Sequence, residues 1–350
     1  MIARWRHTLL VGLAMLLAGC IDYGAPKLEQ FDKSGSTGVF VLCEGNFMYG
    51  NASLSYYDRA TGECVNDIFV RANGAKLGDV AQSMTIYGGV AYVVVNNSGV
   101  VYAMNPDTFE VRGIIRSLAS PRYIHFVSAE KAYITDLYAA KITIVNPQTL
   151  AATGEIATGR HASTEQMAQV GDYLFVACWS YDDTVLVIDT RTDEIVREIA
   201  VGKQPDSIVA DCNGKVWCLS NGGLSADAQP SLCRIDAATQ SVERTFALPQ
   251  GSAPAKLCTD AQGRRLYFLN DGVWAMEADA EALPERPIIE SRGTIYYGLA
   301  VEPRSGEIFV ADAIDYVQAG VVYRYSAAGE LLDTFRAGII PGGFCFKYTH

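Results

Sequence analysis

Histidine is scarce in this chain of 350 residues, which contains four. His7 lies near the N-terminus and His350 is the last residue, so only His125 and His161 stand within the body of the sequence. Two histidines so far apart are poorly placed to build a two-histidine metal triad, a Ser-His-Asp triad or a multi-histidine lyase site. We therefore expect a protein that is not an enzyme, with no catalytic residue, no required cofactor and no metal.

The sequence also lacks the short motifs of common cofactor sites. Neither a G-x-G-x-x-G motif nor a P-loop follows a strand-like run, so no nucleotide cofactor is predicted. None of the nine cysteines stands in a CxxC or Cys/His pattern with zinc spacing, and most lie in apolar runs, where a free thiol behaves as a small hydrophobe. The pairs Cys212–Cys218 and Cys218–Cys233 could fall on neighbouring strands, and we favour neither as a disulfide.

Positive charge is in deficit along the chain. The 28 Lys and Arg residues against 39 Asp and Glu residues give a net charge of -11. A protein of this charge is repelled by phosphate backbones and by anionic membrane surfaces. Nucleic acid is therefore not an expected partner, and solubility is a sufficient reason for the acidity.

Long apolar runs are absent beyond the N-terminus. Arg4 and Arg6 precede a short apolar run over residues 9–17, and Leu17-Ala18-Gly19-Cys20 follows, which together predict a signal peptide over residues 1–19. A run of this length cannot span a bilayer as a helix. The last four residues resemble the bacterial lipobox, which implies that Cys20 is acylated and anchors the protein to a membrane. A soluble secreted protein is the alternative.

The segment that follows the cysteine is polar and has no periodicity. Residues 20–37 include the acylated cysteine and a stretch rich in Gly, Ser, Lys and Asp, as expected of a flexible tether. The folded domain is predicted over residues 38–350. This length is enough for one large domain.

A short Asx or Ser turn recurs at the ends of apolar, strand-like runs. The turns begin at Asp58, Asn105, Asn146, Asp189, Asp236, Met276 and Tyr325, with steps of 47, 41, 43, 47, 40 and 49 residues. This is the period of four-stranded propeller blades. Six tight hairpin turns, among them Gly88-Gly89 and Asn213-Gly214, recur elsewhere in the same unit. The sequence therefore predicts an all-β fold, a seven-bladed β-propeller.

The hairpin that is missing from the count indicates how the ring closes. Residues 39–42 resemble the second strand of a blade that has no first strand, and residues 344–346 resemble a first strand with nothing after it. We expect these N- and C-terminal strands to pair within one blade, because such closure removes the exposed edges of a linear array.

A propeller collects on one face the connection into each inner strand and the loop between the second and third strands, and its sheets hold these loops rigidly. Here the loops are rich in aromatic rings and amides, which suits a large ligand with flat apolar faces and a polar rim. Turn chemistry explains single Asn and Asp residues but not large rings at loop tips. The candidate ligand-binding residues are Asn46, Phe47, Tyr49, Asn51, Asn97, Tyr138, His161, Trp179, Tyr181, Asn221, Asp312 and Tyr316.

Other roles on this face stay open. His161 is also a candidate nitrogen donor to a substrate or a metal centre, whereas His125 lies within an inner strand and is more typical of a hydrogen-bonded core residue. Asp312 and Asp315 are a candidate calcium pair, although acidic loop residues are usually only solvated. The connections into the inner strands add Gln82, Arg122, Tyr123, Arg160, Glu165, Gln204, Asp206, Lys256 and Tyr297 to the face.

The first blade carries a resemblance to a known family. It reads FVLCEGNF over residues 40–47 and NASLSYYD over residues 51–58. This is similar to the opening of the Bacteroidetes YncE-like (DUF5074) β-propeller lipoproteins, a group that includes the BtuG-type cobalamin-capture proteins. The later blades follow a pattern that many propellers share. One departure is Cys43, where the family usually has asparagine.

The resemblance implies a lipoprotein of the outer membrane that faces the cell exterior. Its implied function is to bind vitamin B12 or a related corrinoid and to pass it to a TonB-dependent outer-membrane transporter. The residues that would carry the binding role are Asn46, Phe47, Asn51, Asn97, Tyr138, Trp179, Tyr181 and Asn221. The alternative is a propeller that docks a nutrient-uptake complex without a small-molecule ligand of its own, and its mark would be a flat apolar patch instead of a ring-lined pocket.

Overall fold

The structure is a computed structural model that describes residues 28–223 and 229–349. The predicted signal peptide, Cys20 and the first part of the tether lie outside the described residues. Within the described part of the chain, no helix has the length and apolar character needed to cross a membrane.

Seven four-stranded antiparallel sheets make up the described fold, which confirms the seven-bladed β-propeller. The closing blade consists, from the inner strand outward, of β28 (Pro341–Lys347), β1 (Gly38–Cys43), β2 (Ser53–Asp58) and β3 (Cys64–Val65). A short helix, α1 (Ile68–Asn73), follows β3.

The other six blades follow in chain order, each from its inner to its outer strand. Blade 2 is β4 (Ala81–Tyr87), β5 (Val90–Val95), β6 (Val100–Met104) and β7 (Val111–Ile115), and blade 3 is β8 (Pro121–Phe126), β9 (Ala132–Asp136), β10 (Lys141–Asn146) and β11 (Ala151–Ala157). Blade 4 is β12 (Thr164–Val170), β13 (Tyr173–Cys178), β14 (Thr184–Asp189) and β15 (Glu194–Ala200), and blade 5 is β16 (Pro205–Ala210), β17 (Lys215–Ser220), β18 (Ser231–Asp236) and β19 (Ser241–Ala247). Blade 6 is β20 (Ala255–Thr259), β21 (Arg265–Leu269), β22 (Gly272–Glu277) and β23 (Ile289–Glu290), and blade 7 is β24 (Tyr296–Val301), β25 (Ile308–Asp312), β26 (Ala319–Tyr325) and β27 (Leu331–Ile339).

The strand sequences follow from their place in a blade. The second strands, such as β5 (VAYVVV) and β13 (YLFVAC), are almost entirely apolar and buried, because both faces of the sheet pack against neighbouring blades. The outer strand β15 (EIVREIA) is largely exposed, and its charges make its free edge a poor template for further strand pairing. The hairpin turn between β4 and β5 contains Gly88 and Gly89, both with positive φ, as a type I′ turn requires.

The two chain ends pair as predicted. In the closing blade β1 lies between β28 and β2, so that Val39 is opposite Phe346 on one side and Tyr57 on the other. Phe309 on β25 is fully buried, and its ring lies 5.6 Å from Phe346 and 6.0 Å from Phe344, centroid to centroid. The blade built from both chain ends therefore packs tightly against blade 7.

The described cysteines, Cys43, Cys64, Cys178, Cys212, Cys218, Cys233, Cys258 and Cys345, are all free. Cys218 and Cys233 are directly opposite each other on β17 and β18, as considered from the sequence, and they are not bonded. Burial and ring closure, rather than disulfides, hold the described domain together.

We predict that Phe309→Ala costs about 3–5 kcal/mol of unfolding free energy, because it leaves a cavity between blade 7 and the closing blade. Urea denaturation of the variant and of the parent protein measures this loss. The matched control is Leu332→Ala on the same blade, where the side chain is 49% exposed, and it should cost less than about 1 kcal/mol. Equal losses in the two variants would show that this blade contact does not contribute.

Candidate functional site

A cavity of about 1120 Å³ opens on the face that carries the loops between the second and third strands. Residues from all seven inner strands line it, together with residues of those loops. Pockets for small molecules usually measure ~300–1,000 Å³. The cavity is therefore large enough for a ligand at or above the upper end of that range.

Each of the seven inner strands begins with a β-bulge. The pairing with the second strand shifts register at one place near the start of every inner strand. A bulge leaves one or two residues unpaired and redirects their side chains. The residues skipped by the pairing all line the cavity, and they are Gln82, Arg122, Tyr123, Glu165, Gln166, Asp206, Lys256, Leu257, Tyr297 and Gly342.

Gly342 is the member of this set without a side chain, and its neighbour explains why. A Cβ atom at this position would lie 2.3 Å from Glu44 Oε1. Glycine on β28 therefore leaves room for the Glu44 carboxylate, which lines the cavity from the loop after β1.

Arg122 ties three neighbouring blades together on the cavity wall. Its Nε donates to Glu165 Oε1 at 2.6 Å, and its Nη1 donates to Gln82 Oε1 at 2.6 Å. The guanidinium also lies over the ring of Trp179, 5.6 Å from the ring centroid. Because Glu165 is only 2% exposed, this ion pair is buried, and removing one partner would leave the other charge uncompensated.

A second polar group lies on the opposite part of the wall. Tyr297 donates its hydroxyl hydrogen to Glu44 Oε2 at 2.9 Å, and Lys256 Nζ lies 5.4 Å from the centroid of the Tyr297 ring. Burial, followed by the charge of Glu44, raises the pKa of the Tyr297 hydroxyl. The phenol therefore keeps its proton at neutral pH and stays a hydrogen-bond donor.

Asp206 is an acidic side chain on the wall whose pKa lies near neutral pH. Ser207 Oγ donates to Asp206 Oδ1 at 2.8 Å. Burial raises the pKa of Asp206 to about 7, with a further contribution from the charge of Glu165. Burial also raises the pKa of Glu165 itself, although Arg122 opposes the shift. A carboxyl that titrates near neutral pH can act as a general acid or base.

Aromatic rings from the loops form a rim around this polar wall. Phe47, Tyr138, Trp179 and Tyr316 line the cavity, as predicted from the sequence. The ring of Phe47 is 61% exposed and that of Tyr138 is 72% exposed. Tyr316 has a positive φ of 63°, a backbone conformation that is uncommon for a bulky residue.

The structure does not bring the other eight candidates to the large cavity. Most of the polar ones fasten loops: Asn51 Oδ1 accepts from the Asn46 N–H at 2.8 Å, Asn46 Nδ2 donates to the Tyr316 carbonyl at 2.6 Å, and Asn97 Nδ2 donates to Asp79 Oδ2 at 2.7 Å. Asn221 and Asp312 accept backbone N–H groups of their own or neighbouring loops. These are the turn roles that Asn and Asp side chains commonly have.

The remaining three candidates lie elsewhere on the face. Tyr49 is exposed at a loop tip and does not line the cavity. Tyr181 is 92% exposed and borders a separate cavity of about 410 Å³. His161 is buried next to that cavity and contacts Asp182.

His125, outside the candidate set, contacts Gln169 through its Nε2 at 2.8 Å, as expected of a hydrogen-bonded residue within the fold. The carboxylate of Asp315 accepts the backbone N–H groups of Val317 and Gln318.

The polar wall was on the predicted face, but its residues were not selected as ligand-binding candidates. They are Glu44, Gln82, Arg122, Glu165, Asp206, Lys256 and Tyr297. The sequence contained a signal for this set. Six of the seven residues stand at the start of an inner strand, each as its second residue. The repeated position would have distinguished them from ordinary loop residues.

The family model that matches the chain covers residues 37–338. The chain belongs to the DUF5074 family. That family is described as a domain of unknown function, so the predicted family is confirmed, while the cobalamin-capture role stays a proposal. No curated protein matches this DUF5074 protein.

Solved structures share the fold of this DUF5074 protein at low sequence identity. A quinonprotein alcohol dehydrogenase-like protein from Bacteroides thetaiotaomicron superimposes with a TM-score of 0.68 at 17% identity, over 89% of this chain and 78% of that one. The periplasmic gluconolactonase of Pseudomonas aeruginosa gives 0.67 at 14% identity, over 90% and 99%. A putative 6-phosphogluconolactonase from Bacteroides fragilis gives 0.64 at 14% identity, over 90% and 99%.

These comparisons correct one prediction. The expectation that the protein is not an enzyme is wrong, because structures described as gluconolactonases have the same fold. The scarcity of histidine does not exclude catalysis in a cavity whose acidic side chains have raised pKa values. Neither the fold nor the family is a mark of a non-enzymatic protein.

We predict that Asp206→Asn changes how stability depends on pH. Because the pKa of Asp206 is raised from 3.8 to about 7, the folded protein holds a proton there that the unfolded chain has released, and stability falls as the pH rises through this window. The asparagine variant avoids this loss. Relative to the parent, its unfolding free energy should improve by about 1 kcal/mol between acidic and slightly alkaline pH, after allowance for solvent in the open cavity.

Urea denaturation at the two ends of the window measures this change. Asp315→Asn is the matched control, because the Gln318 backbone N–H lowers the pKa of Asp315 in an exposed loop, so this carboxylate titrates below the window. The stability difference between that variant and the parent should not change as the pH rises through the window. A pH-independent difference between Asp206→Asn and the parent would contradict the raised pKa.

Proposed function

We propose that this protein binds cobalamin or a related corrinoid in the large cavity and passes it to a TonB-dependent outer-membrane transporter. The observation that carries the proposal is the cavity itself, where seven bulged inner strands provide a polar wall and the loop aromatics provide an apolar rim. A flat apolar patch, the mark of a pure docking module, would not have this concave form.

The chemistry of the lining suits a broad ring with polar substituents. The exposed rings of Phe47, Tyr138 and Tyr316 supply flat apolar surface for a macrocycle. Gln82, Arg122 and Tyr297 on the wall offer hydrogen-bonding groups to peripheral amides. The titratable groups of both signs lie near one another on the wall, so an uncharged, amide-rich ligand is not penalised by a strong field of one sign.

One hydrogen-bond donor on the rim is unpaired among the described residues. The indole Nε1 of Trp179 is buried and has no hydrogen-bond partner among the described residues. Buried donors are rarely left unpaired in folded proteins. An amide or phosphate oxygen of the ligand would accept this hydrogen bond.

The cellular part of the proposal rests on the sequence. The lipobox around Cys20 supports attachment to a membrane, and the first-blade resemblance supports placement on the outer face of the outer membrane beside a transporter. The tip of the loop after β1, Phe47-Met48-Tyr49, is apolar and exposed beside the cavity mouth. This loop is our candidate for the contact with the transporter.

We predict one-to-one binding of cyanocobalamin and of cobinamide to the purified protein in a calorimetric titration. Trp179→Ala should weaken binding at least tenfold, about 1.4 kcal/mol, because it removes both the ring and the indole donor. Trp179→Phe should restore part of the affinity, since it keeps a ring without the donor. Tyr181→Ala is the matched control, because this ring borders a different cavity, and it should bind as the parent does.

Two outcomes would overturn the proposal. If neither corrinoid gives heat of binding at high concentration, corrinoids are not the ligand. If Trp179→Ala and Tyr181→Ala weaken binding equally, the binding site is not in the large cavity.

A second candidate is hydrolysis of a sugar lactone in the same cavity. The observation that favours it is Asp206, whose pKa near 7 lets its ionised form take a proton from water. The resulting hydroxide would add to the lactone carbonyl, the ring C–O bond would break as the tetrahedral adduct collapses, and the proton held by Asp206 would pass to the leaving ring oxygen. Arg122, paired with Glu165 on the same wall, would stabilise the developing negative charge. One protein with this fold is described as a gluconolactonase and another as a putative 6-phosphogluconolactonase.

We predict for this candidate that the protein accelerates acid release from δ-gluconolactone in a pH-stat, and that Asp206→Asn lowers the rate at least a hundredfold. Asp183→Asn, on an exposed loop outside the large cavity, is the control and should retain the parent rate. No acceleration above the buffer rate would eliminate this candidate without affecting the corrinoid proposal.

A further inference from the structure

A cluster of three potential metal ligands lies in blade 4, apart from the large cavity. One nitrogen of His161, the Cys178 sulfur and a carboxylate oxygen of Asp182 all lie within 4.8 Å of one another. They come from separate places in the chain: the connection before β12, the last residue of β13 and the loop that follows β13. The strand pairing of a single blade brings them together.

The burial of the cluster is unusual for polar side chains. His161 is 2% exposed and Cys178 is fully buried, while the Asp182 side chain is 15% exposed. Acidic residues on a surface are commonly near one another without a function, but a buried histidine and a buried thiol facing the same carboxylate are not explained by solvation. The three donors point to a common occupant.

The donor set selects the chemistry of that occupant. One imidazole nitrogen, one sulfur and one carboxylate oxygen match the ligands of Zn²⁺, whereas Ca²⁺ and Mg²⁺ prefer oxygen ligands alone. Three protein ligands leave the fourth position of a tetrahedral ion for water or a bound molecule.

The distance between His161 and Asp182 requires only a small adjustment, and the Cys178 sulfur lies within 4.8 Å of both ligand atoms. His161 Nδ1 lies 2.7 Å from Asp182 Oδ2, so the two atoms are hydrogen-bonded. Zinc bonds of ~2.0 Å to nitrogen and oxygen would place these two atoms ~3.3 Å apart around a tetrahedral ion. A movement of the Asp182 side chain by well under an ångström replaces the hydrogen-bonded proton with the metal ion.

The other nitrogen of the histidine ring already has a suitable neighbour. His161 Nε2 accepts a hydrogen bond from Arg160 Nε at 3.3 Å and lies 3.4 Å from Glu198 Oε2 on β15. Glu198 in turn pairs with Arg160 Nη2 at 3.0 Å. When the metal ion takes the place of the proton on Nδ1, the ring proton moves to Nε2, where the Glu198 carboxylate accepts it and fixes the orientation and tautomer of the ring.

The cluster is also accessible to ions. Asp182 lines the smaller cavity of about 410 Å³, which is bordered by Arg160, Tyr181 and Asp183. A hydrated cation can therefore reach the carboxylate from solvent before it contacts the buried nitrogen and sulfur.

We propose that His161, Cys178 and Asp182 bind one Zn²⁺ ion. The ion connects the segment before β12 to the loop after β13, and this loop carries Tyr181 and the cavity residue Trp179. The site is independent of the corrinoid proposal, since none of its three ligands lines the large cavity.

Cobalt substitution tests the site directly, because Co²⁺ takes zinc sites and its bond to a thiolate absorbs in the near ultraviolet. We expect the chelator-treated protein to bind one Co²⁺ per chain with a sulfur-to-cobalt charge-transfer band, and one equivalent of Zn²⁺ to bleach it. Cys178→Ser should abolish the band. Cys233→Ser is the matched control, a buried free cysteine on β18 outside the cluster, and it should retain the band.

A second variant decides the question if Cys178→Ser does not fold. Asp182→Asn alters a partly exposed loop residue, and it should weaken Zn²⁺ binding at least tenfold in competition with a chromophoric chelator while the protein stays folded. The proposal is overturned if the parent protein shows no charge-transfer band with excess Co²⁺, if the band survives in Cys178→Ser, or if Asp182→Asn binds zinc as tightly as the parent.

Discussion

The pairing of β1 with β28 is the constraint on which the rest of the structure depends. Each blade buries its second strand on both faces, so every blade needs two neighbours, and a linear array of seven would leave two faces open. The blade made from both chain ends supplies the missing neighbours. The rings of Phe309, Phe344 and Phe346 fill the contact between this blade and blade 7. Closure also places the seven inner strands around one axis, and the cavity exists only because of that arrangement.

The bulges at the starts of the inner strands supply the side chains that form the polar wall of the cavity. A regular strand would pair these residues and direct their side chains in alternation toward the adjoining blades. The bulge frees one or two residues in each strand and directs them to the axis, where Arg122, Glu165, Asp206 and Lys256 meet although they belong to different blades. Arg122 then links its neighbours through Gln82 and Glu165. The charges that a ligand or substrate is proposed to meet are therefore also the ones that connect adjacent blades.

The two candidate uses of the large cavity draw on different parts of it. A corrinoid would rest on the aromatic rim and use the wall for hydrogen bonds, whereas lactone hydrolysis would need only the ionisable wall and would leave the rim unused. The exposed rings of Phe47 and Tyr138 cost hydrophobic free energy in the unbound protein, which is a reason to favour a large ligand. The proposed zinc cluster lies outside this choice, and it would act by positioning the loop from which Trp179 enters the rim.

The sequence by itself determined the fold class, the number of blades and the closure, because turn chemistry and strand alternation are local properties that repeat with a fixed period. It also placed Phe47, Tyr138, Trp179 and Tyr316 on one face, and the structure shows that they line the large cavity. Only the tertiary structure decided which rings reach the cavity. Trp179 and Tyr181 lie on the same loop after β13, yet Trp179 lines the large cavity and Tyr181 borders the smaller one. The cluster of His161 with Cys178 depends in the same way on strand pairing between residues distant in the chain. A bulge changes the direction of a side chain without changing the composition of its strand, so only the strand pairing showed that the polar residues at the strand starts all line the cavity.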